Sequence, residues 1–430
     1  MNDAHSRRNI SVLLWVSALF GLAFGIYDLA LPMFLKERHF TDMQASAVFA
    51  LPVAASILVW LWVGRISDRL GRKVFYTLSL LGASAGSLFT PFFPLVPAQI
   101  ALKSVWETSV QVRDSLHGVF LYETAKARFI GLVGTTEGVR ILGQMVGLVV
   151  VGYGLGWIVP GMFSGPGGEE GYAPVLVFCG LLCLVTAGVF AWGLREEFEA
   201  GEPERNSFLR EMVSLKMDPR LYMMMAFLFI FSLGLAATHT WVMYCFWPDK
   251  FGVDRAGMGW LMAVHRLVFA LPLLTMGWFV RGRVHRHRRP VLIASIIVQA
   301  GSTLAAGVIA NFWVALGVWL LHDLCGAGVW RPIRDELLQR YCRGQVRGTD
   351  ATKALAVGQV GFVFGTLFGG WCYRPQTGDA LRRLLPFVPG EGVCFGLPFV
   401  AGGVIMLASV VPLVLLVFMD PEERGEAKSI

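Results

Sequence analysis

Long apolar runs alternate with short polar connectors along almost the entire chain. A run of about 20 apolar residues is long enough for a helix to cross the hydrocarbon core of a bilayer. The pattern therefore predicts an all-α integral membrane protein with twelve transmembrane helices. In chain order the predicted spans are Ser11–Leu35, Ala45–Gly64, Val74–Phe93, Val96–Phe120, Ile130–Gly154, Ala173–Leu194, Leu221–Phe246, Gly257–Val280, Pro290–Ala310, Phe312–Ile333, Thr352–Tyr373 and Phe395–Met419.

The apolar pattern is interrupted once, between the sixth and seventh spans. Arg195–Arg220 is polar and rich in charges of both signs. This segment predicts a solvent-exposed cytoplasmic linker at 195–220. It divides the chain into an N-terminal six-helix half at 1–194 and a C-terminal six-helix half at 221–430.

Motifs in the two halves match at an offset of six spans. Gly143–Gly147 in span five corresponds to Gly358–Gly361 in span eleven. Arg113–Leu116 toward the end of span four corresponds in the same way to Arg334–Leu337 at the end of span ten. Because the matches come in the same order, they indicate a tandem duplication. The predicted fold is therefore two pseudo-symmetric six-helix bundles.

The amino-acid composition agrees with a membrane protein and argues against one class of binding partner. Hydrophobic residues make up 55% of the chain and charged residues 16%, with a mean hydropathy of +0.59. Soluble domains carry about 25% charged residues. The net charge of +7 comes mainly from short connectors without interleaved stacking aromatics, which argues against nucleic-acid binding. By the positive-inside rule, these basic connectors place both termini in the cytoplasm.

Charged and histidine side chains within the spans are the candidate functional residues, because each is costly in lipid unless it faces protein or water. The acidic ones suit proton coupling or cation binding. For Glu107 and Asp114 the alternative is structural ion pairing, with Lys103 four residues from Glu107. Asp28 has no cation nearby in its own span, which favours a functional role. The residues that we assign to a solute or proton pathway are Asp28, Lys103, Glu107, Asp114, Arg140, His239, His322, Asp323 and Lys353.

The same residues allow two more specific hypotheses, an anion-binding site and a metal pathway. Arg140 and Lys353 occupy related positions in spans five and eleven, and two cations facing one cavity would suit an anionic solute. A metal or iron pathway is also left open, built from Asp28, Glu107, His239, His322 and Asp323. However, His322 and Asp323 are sequence neighbours, so on an α-helix they point about 100° apart and form no ready-made chelating pair. No metal site is therefore predicted from the spacing.

The connector between spans two and three carries the pattern Gly-x-x-x-Asp-Arg-x-Gly-Arg-Lys. This pattern resembles the loop signature of the major facilitator superfamily. Together with the twelve spans, the central linker and the repeat, the resemblance covers the whole chain. The residues that we assign to a gating loop are Gly64, Asp68, Arg69, Gly71, Arg72 and Lys73.

The resemblance implies alternating access, in which two six-helix halves rock around a central site near the bilayer midplane. It also implies that Asp68 pairs with nearby helix ends and helps to hold one end state closed. Two positions depart from the family pattern. Arg281 stands where an aspartate would be expected in the second copy of the motif. Gln144 stands where drug/proton antiporters of the family have a proline in span five, which argues against multidrug antiport.

Three functions fit these observations. The first is a secondary active transporter for a small polar or charged solute, coupled to protons. The alternatives are a metal (iron) ion transporter of the same fold and a non-transporting membrane sensor or assembly platform. The sequence contains no nucleophile elbow, Walker loop or metal-hydrolase motif, so we expect no enzyme activity and no cofactor. We expect a monomer in a bacterial inner membrane or a membrane derived from it.

Overall fold

The computed structural model describes residues 3–124, 129–154, 171–196, 217–279, 288–343, 347–384 and 393–419, and in these ranges all regular structure is helical. The helices of the N-terminal part are α1 (Asp3–Glu37), α2 (Asp42–Leu70), α3 (Arg72–Phe89), α4 (Val96–Thr124), α5 (Phe129–Val149) and α6 (Ala173–Gly193). The later helices are α7 (Pro219–Thr238), α8 (Trp241–Phe251), α9 (Arg255–Phe279), α10 (Arg288–Val308), α11 (Phe312–Leu321), α12 (Gly328–Tyr341), α13 (Arg347–Cys372), α14 (Pro375–Leu384), α15 (Val393–Ala408) and α16 (Val410–Met419).

The prediction of an all-α integral membrane protein is confirmed. Within the described ranges, eight helical segments are long and apolar enough to cross a bilayer, and they coincide with predicted spans one and six to twelve. The other four predicted spans overlap α2, α3, α4 and α5. The total of twelve crossings stays a prediction. The uncharged helix α6 exposes large apolar side chains, as a lipid-facing helix must; they are Phe178, Leu181, Leu184, Val185 and Trp192.

The chain packs into two compact units. The first unit contains Met1–Glu202 and Met243–Gly277, and the second contains Pro203–Val242 and Trp278–Ile430. The units differ from the predicted halves in one segment, because Met243–Gly277 packs with the first unit although it lies beyond the predicted linker. Most of that linker lies outside the described residues.

Helix pairing repeats between the units. In the first unit, α1 packs against α5 and α6, and α3 packs against α6. In the second unit, α7 packs against α13 and α15, and α10 packs against α15. In terms of spans, pairs one–five, one–six and three–six recur as seven–eleven, seven–twelve and nine–twelve. This correspondence agrees with the tandem duplication inferred from the sequence.

Glycines allow the backbones of the paired helices to approach closely. A Cβ atom added to Gly25 on α1 would lie 2.2 Å from the carbonyl oxygen of Gln144 on α5. In the second unit, a Cβ atom on Gly365 of α13 would lie 2.2 Å from the carbonyl oxygen of Leu233 on α7. Small residues at such contacts are typical of membrane helix pairs, whose association depends on close van der Waals packing.

Several of the predicted spans are not regular α-helices throughout: spans five and ten contain π-helical segments, and spans seven and twelve are each divided in two. Span seven, predicted as one helix over Leu221–Phe246, is divided into α7 and α8 at His239 and Thr240. The hydroxyls of Thr238 and Thr240 donate to the carbonyls of Leu235 and Ala236, and such local bonds compete with the helical ladder. Span ten contains a six-residue π-helical segment, His322–Ala327, between α11 and α12. Irregular backbone of this kind is frequent at functional sites of membrane proteins.

Candidate transport site

Asp28 lies within the apolar stretch of α1 and is held by two side chains that are distant in sequence but belong to the same unit. Its Oδ2 atom lies 2.7 Å from Nη2 of Arg266 on α9. The hydroxyl of Tyr244 on α8 donates to the same oxygen. The Asp28 and Arg266 side chains are 25% and 18% exposed, whereas Tyr244 is buried. Asp28 has no cationic neighbour in its own span, but the fold brings Arg266 of α9 next to it.

This cluster combines an acidic group, Asp28, with an anion-binding group, Arg266. Protonation of Asp28 would remove the charge that holds Arg266. A carboxylate or phosphate group could compete with Asp28 for the same guanidinium, which binds such groups in fork geometry. Neither Tyr244 nor Arg266 is among the residues that were assigned to a pathway from the sequence. The signal for Arg266 was its charge within predicted span eight, but its partner lies 238 positions away.

A second set of polar contacts lies at the C-terminal end of α1. Lys36 forms an ion pair with Asp249 on α8. Glu37 accepts a hydrogen bond from the backbone N–H of Tyr172, 3.2 Å away. The two ion pairs of α1, at Asp28 and at Lys36, thus attach it to the segment formed by α8 and α9.

Helix α4 contains an ion pair between residues four positions apart. Nζ of Lys103 lies 2.9 Å from Oε2 of Glu107. The ammonium group also lies 5.3 Å from the ring centre of Tyr27 and 5.5 Å from that of Phe49, in cation–π geometry. The structure thus forms the pair expected from the i, i+4 spacing, and the assignment of these residues to a pathway stays a prediction.

Asp114 bridges two arginines. Its Oδ1 atom lies 2.6 Å from Arg113 Nη1, and its Oδ2 atom lies 3.0 Å from Arg140 Nη1 on α5. Arg140 also pairs with Glu137 at 2.7 Å. Asp114 and Glu137 therefore compensate the positive charge of Arg140, the residue that was predicted to bind an anionic solute. Lys353 is buried near the start of α13 in the second unit, and a cavity shared by the two cations stays a prediction.

Arg113 is part of a buried network in the first unit. Its Nε donates to the hydroxyl oxygen of Tyr76 at 3.1 Å. The Tyr76 hydroxyl lies 3.0 Å from Nδ1 of His117, whose Nε2 lies 3.3 Å from Oγ of Ser17. Both ring nitrogens of His117 are thus satisfied by hydroxyl groups, which is the arrangement of a structural histidine.

The predicted gating loop is a helix end followed by a one-residue turn. Helix α2 continues through Gly64, Asp68 and Arg69 to Leu70, so the prediction of a loop over these positions is wrong. Only Gly71 leaves the helical conformation, with φ 96°, a region that favours glycine because it has no Cβ atom. The side chains of Asp68 and Arg69 lie outside the described part of the structure, so the pairing expected of Asp68 stays a prediction.

The start of α3 is capped by a residue from the beginning of the predicted linker. Glu196 accepts hydrogen bonds from the backbone N–H groups of Arg72 (2.9 Å) and Lys73 (3.1 Å). Nζ of Lys73 donates to the carbonyl of Leu194 at 2.8 Å. A carboxylate at a helix N-terminus satisfies unpaired N–H groups and interacts favourably with the helix dipole. The motif residues Arg72 and Lys73 therefore bind the chain that leaves α6.

Replacing Glu196 with alanine is expected to lower the free energy of unfolding by about 1 kcal/mol, because the first turn of α3 loses its carboxylate cap. The measurement is the thermal unfolding midpoint of the purified protein in detergent. Asp379→Ala, which removes an exposed carboxylate on α14, is the control and should change stability by less than about 0.5 kcal/mol. Equal effects of the two substitutions would contradict the capping role.

A comparable carboxylate contact precedes span eleven in the second unit. Asp350, fully buried at the start of α13, accepts from the backbone N–H, Nε and Nη2 of Arg343 at 3.1, 2.9 and 2.8 Å. These hydrogen bonds from Arg343 lower the pKa of the Asp350 carboxyl below its ordinary value. The contact lies outside the membrane span and ties Arg343, which follows α12, to the start of α13.

Asp350→Asn is expected to destabilise the protein by about 1.5–3 kcal/mol at neutral pH, since charge-assisted hydrogen bonds are lost. Because the folded-state pKa is lowered, the contribution of the carboxylate is present above the unfolded pKa of about 3.9 and is lost as the pH falls below it. Unfolding midpoints of both proteins across this range would show the difference shrinking in acid. A difference that stays constant to low pH would refute the account.

Two histidines meet at the irregular positions of spans seven and ten. Nε2 of His239 lies 2.9 Å from Nε2 of His322, and Oδ1 of Asp323 lies 3.4 Å from the same His322 nitrogen. An oxygen of Asp323 thus approaches the ring of its neighbour His322 at the start of the π-helical segment, a contact that the α-helical spacing did not lead us to expect. All three residues belong to the second unit.

The comparisons with known proteins agree with the fold and the membrane setting. The sequence profile of the Major Facilitator Superfamily matches residues 13–246 and again residues 231–429. The "Tetracycline resistance protein, class B" of Escherichia coli is 22% identical over 364 residues, covering 81% of this chain and 86% of that protein.

Solved structures show the same fold. A bacterial homologue of the human lysosomal transporter Spinster, inward-facing and occupied, superposes with a TM-score of 0.73 at 14% identity, covering 98% of this chain and 99% of that one. A mutant of the nucleoside transporter NupG gives a TM-score of 0.69 at 14% identity, covering 96% and 98%. The chain therefore belongs to the Major Facilitator Superfamily and is an integral membrane transporter of that fold.

Proposed function

We propose that this chain is a proton-coupled secondary transporter that moves a small polar or charged organic solute by alternating access, without modifying it. The observation that supports the proposal best is the cluster of Asp28, Arg266 and Tyr244 in the first unit. It joins a carboxylate inside a membrane helix to a guanidinium and a phenol, all within hydrogen-bond distance. We place the protein in a bacterial inner membrane or one derived from it, with both termini cytoplasmic, and acting as a monomer.

The coupling step follows from the charge of Asp28. While it is ionised, Asp28 holds Arg266 and thereby attaches α9 to α1. Proton binding at the carboxylate, or solute binding at the guanidinium, weakens this ion pair. Segment Met243–Gly277 is flanked in sequence by the second unit on both sides, so its release from α1 is the conformational step that we expect protonation to control.

The chemistry of the cluster suggests the solutes to examine first. Arg266 favours a solute with a carboxylate or phosphate group, or a zwitterion. The names of the similar proteins add tetracycline and nucleosides. A bound solute stabilises the folded protein by about 2.7 kcal/mol at a hundredfold excess over its Kd. A thermal-shift screen of organic anions, zwitterions, tetracycline, nucleosides and sugars at two pH values therefore selects candidates.

The deciding experiment uses proteoliposomes that contain a pH-sensitive dye. Addition of a selected solute should cause a proton flux that protein-free liposomes do not show, and an imposed pH gradient should drive accumulation of the labelled solute. Solute movement that is insensitive to the pH gradient would refute proton coupling. Folded protein that moves none of the solutes would favour the sensor or platform alternative and overturn the proposal.

A further inference from the structure

Three helices of the first unit form a pocket around the ammonium group of Lys103. Its Nζ lies 2.9 Å from Oε2 of Glu107, one turn further along α4. It also lies 5.3 Å from the ring centre of Tyr27 on α1 and 5.5 Å from that of Phe49 on α2. A carboxylate and two aromatic rings therefore face one ammonium group.

Further contacts hold these groups in place. Trp106 stacks on the ring of Tyr27, with the ring centres 3.7 Å apart and 15° between the planes. Both aromatic residues are buried. Nε2 of Gln111 donates to Oε1 of Glu107 at 3.5 Å, so each carboxylate oxygen has a partner. The contacts of Trp106 and Gln111 do not involve Lys103, so they can hold the pocket without it.

Aromatic rings and a carboxylate are also the groups by which proteins recognise free ammonium ligands. The face of an aromatic ring attracts a cation within about 6 Å of its centre, and methylated ammonium ligands bind in aromatic cages. A carboxylate adds a charge-assisted hydrogen bond. The pocket thus has the composition of an ammonium-binding site, although the ammonium group in it belongs to the chain itself.

Lys103 occupies the place that a free ammonium ligand would take. Its side chain is 10% exposed and that of Glu107 is 18% exposed, so the carboxylate stays partly accessible. A free cation that approached Glu107 would meet the charge of Lys103 at the same point. The covalent attachment of Lys103 to α4 also spares it the entropy that a free ligand loses on binding.

We propose that Lys103 acts as a tethered ligand in an ammonium-binding pocket formed by Tyr27, Phe49 and Glu107, and that it excludes free primary ammonium compounds from this pocket. Lys103 is then a specificity-determining residue for the charge of the solute. A solute whose only charged group is an ammonium cannot use the pocket, whereas an anionic group can still compete for Arg266. This consequence for the solute rests on the proposed transport function, but occupancy of the pocket by Lys103 does not.

The test supplies the missing part of the side chain as a free molecule. Lys103→Ala removes everything beyond Cβ, and n-propylammonium has the same carbon chain and ammonium group. We expect it to stabilise full-length Lys103→Ala in detergent against thermal unfolding, relative to NaCl at equal ionic strength, with a Kd of about 1 mM for so small a ligand. The wild-type protein, whose pocket is filled, should bind it at least about tenfold more weakly. Propan-1-ol and propionate, which lack the ammonium group, should stabilise neither protein.

Two double variants examine the walls of the pocket. Lys103→Ala/Glu107→Gln loses the charge-assisted hydrogen bond and should bind n-propylammonium about 10–100-fold more weakly than Lys103→Ala. Lys103→Ala/Phe49→Leu loses one cation–π contact and should bind it about 2–30-fold more weakly. The matched control is Lys36→Ala. Lys36 is paired with Asp249 but is 46% exposed, and its removal should create no detectable n-propylammonium binding, because exposed ion pairs contribute little.

Folded Lys103→Ala that n-propylammonium does not stabilise would overturn the proposal. Equal stabilisation of the wild-type protein or of Lys103→Ala/Glu107→Gln would overturn it as well. If Lys103→Ala is recovered in low yield, n-propylammonium present during solubilisation should raise the folded yield, and an unchanged yield would refute the pocket. None of these measurements uses transport, so protein that moves no solute in proteoliposomes can still show the binding, and failure of one proposal is distinguishable from failure of the other.

Discussion

Asp28→Asn is expected to abolish solute-driven proton flux in proteoliposomes, while the variant remains folded and in the membrane. Asparagine has nearly the same shape as aspartate but cannot bind a proton at neutral pH. Arg266 also loses its ion pair with Asp28, so protonation at this position can no longer control the contact between α1 and α9. The measurement is the dye signal of the reconstituted variant under conditions in which the wild-type protein responds.

Asp28→Asn should also lower the free energy of unfolding of the protein. An arginine that loses a charge-assisted hydrogen bond inside the protein destabilises it by about 1.5–3 kcal/mol. The double variant Asp28→Asn/Arg266→Gln removes both charges, so its stability should recover toward that of the wild type. Its proton flux should stay absent. A double-mutant cycle of unfolding midpoints gives the coupling energy of the pair directly.

The control for Asp28 is a carboxylate in the second unit. Asp335 pairs with its neighbour Arg334 and is 53% exposed, and Asp335→Asn should retain proton flux. Full proton coupling in Asp28→Asn would contradict the proposed role of the cluster. Recovery of flux in the double variant would contradict it as well, because neither group could then be required.

Gly25→Ala is expected to destabilise the first unit by about 1–3 kcal/mol, the cost of overpacking a well-packed contact. The added Cβ would lie 2.2 Å from the carbonyl oxygen of Gln144, and a backbone atom cannot turn aside as a side chain can. Helices α1 and α5 would have to separate. Gly365→Ala should have a similar effect on the contact between α13 and α7 in the second unit.

The matched control is Gly118 on α4, where an added Cβ would meet nothing within 4 Å. Alanine is a better helix former than glycine by about 0.5–1 kcal/mol, so Gly118→Ala should stabilise the protein slightly. The unfolding midpoints of the two variants should therefore move in opposite directions from the wild type. If Gly25→Ala also stabilised the protein, the close approach of α1 and α5 would be refuted.

The membrane class and the helical fold could be predicted from the sequence because they depend on local quantities. A run such as Ala173–Leu194 is apolar over the thickness of a bilayer whatever it packs against. The repeat was also readable, since Gly143–Gly147 and Gly358–Gly361 keep their order after the duplication. The pair formed by Lys103 and Glu107 followed from the helical period alone.

Breaks and π-helical segments within the helices could not be predicted from the sequence. The apolar pattern runs through His239 without a change, because breaking a helix by side-chain bonds to carbonyls leaves hydropathy unaltered. The π-helical turn at His322 likewise alters the direction of side chains but not their order. The extension of α2 to Leu70 shows the reverse case, in which charged residues remain helical after the apolar run has ended.

The membrane class, the helical elements and the duplicated order of the chain were thus determined by the sequence itself, because hydropathy and helical period act over neighbouring residues. The partners of the charged groups were decided only by the tertiary structure. Arg266 reaches Asp28 from 238 positions away, and His322 meets His239 across 83. Such pairs depend on which helices pack together and in what rotation, which no local pattern specifies.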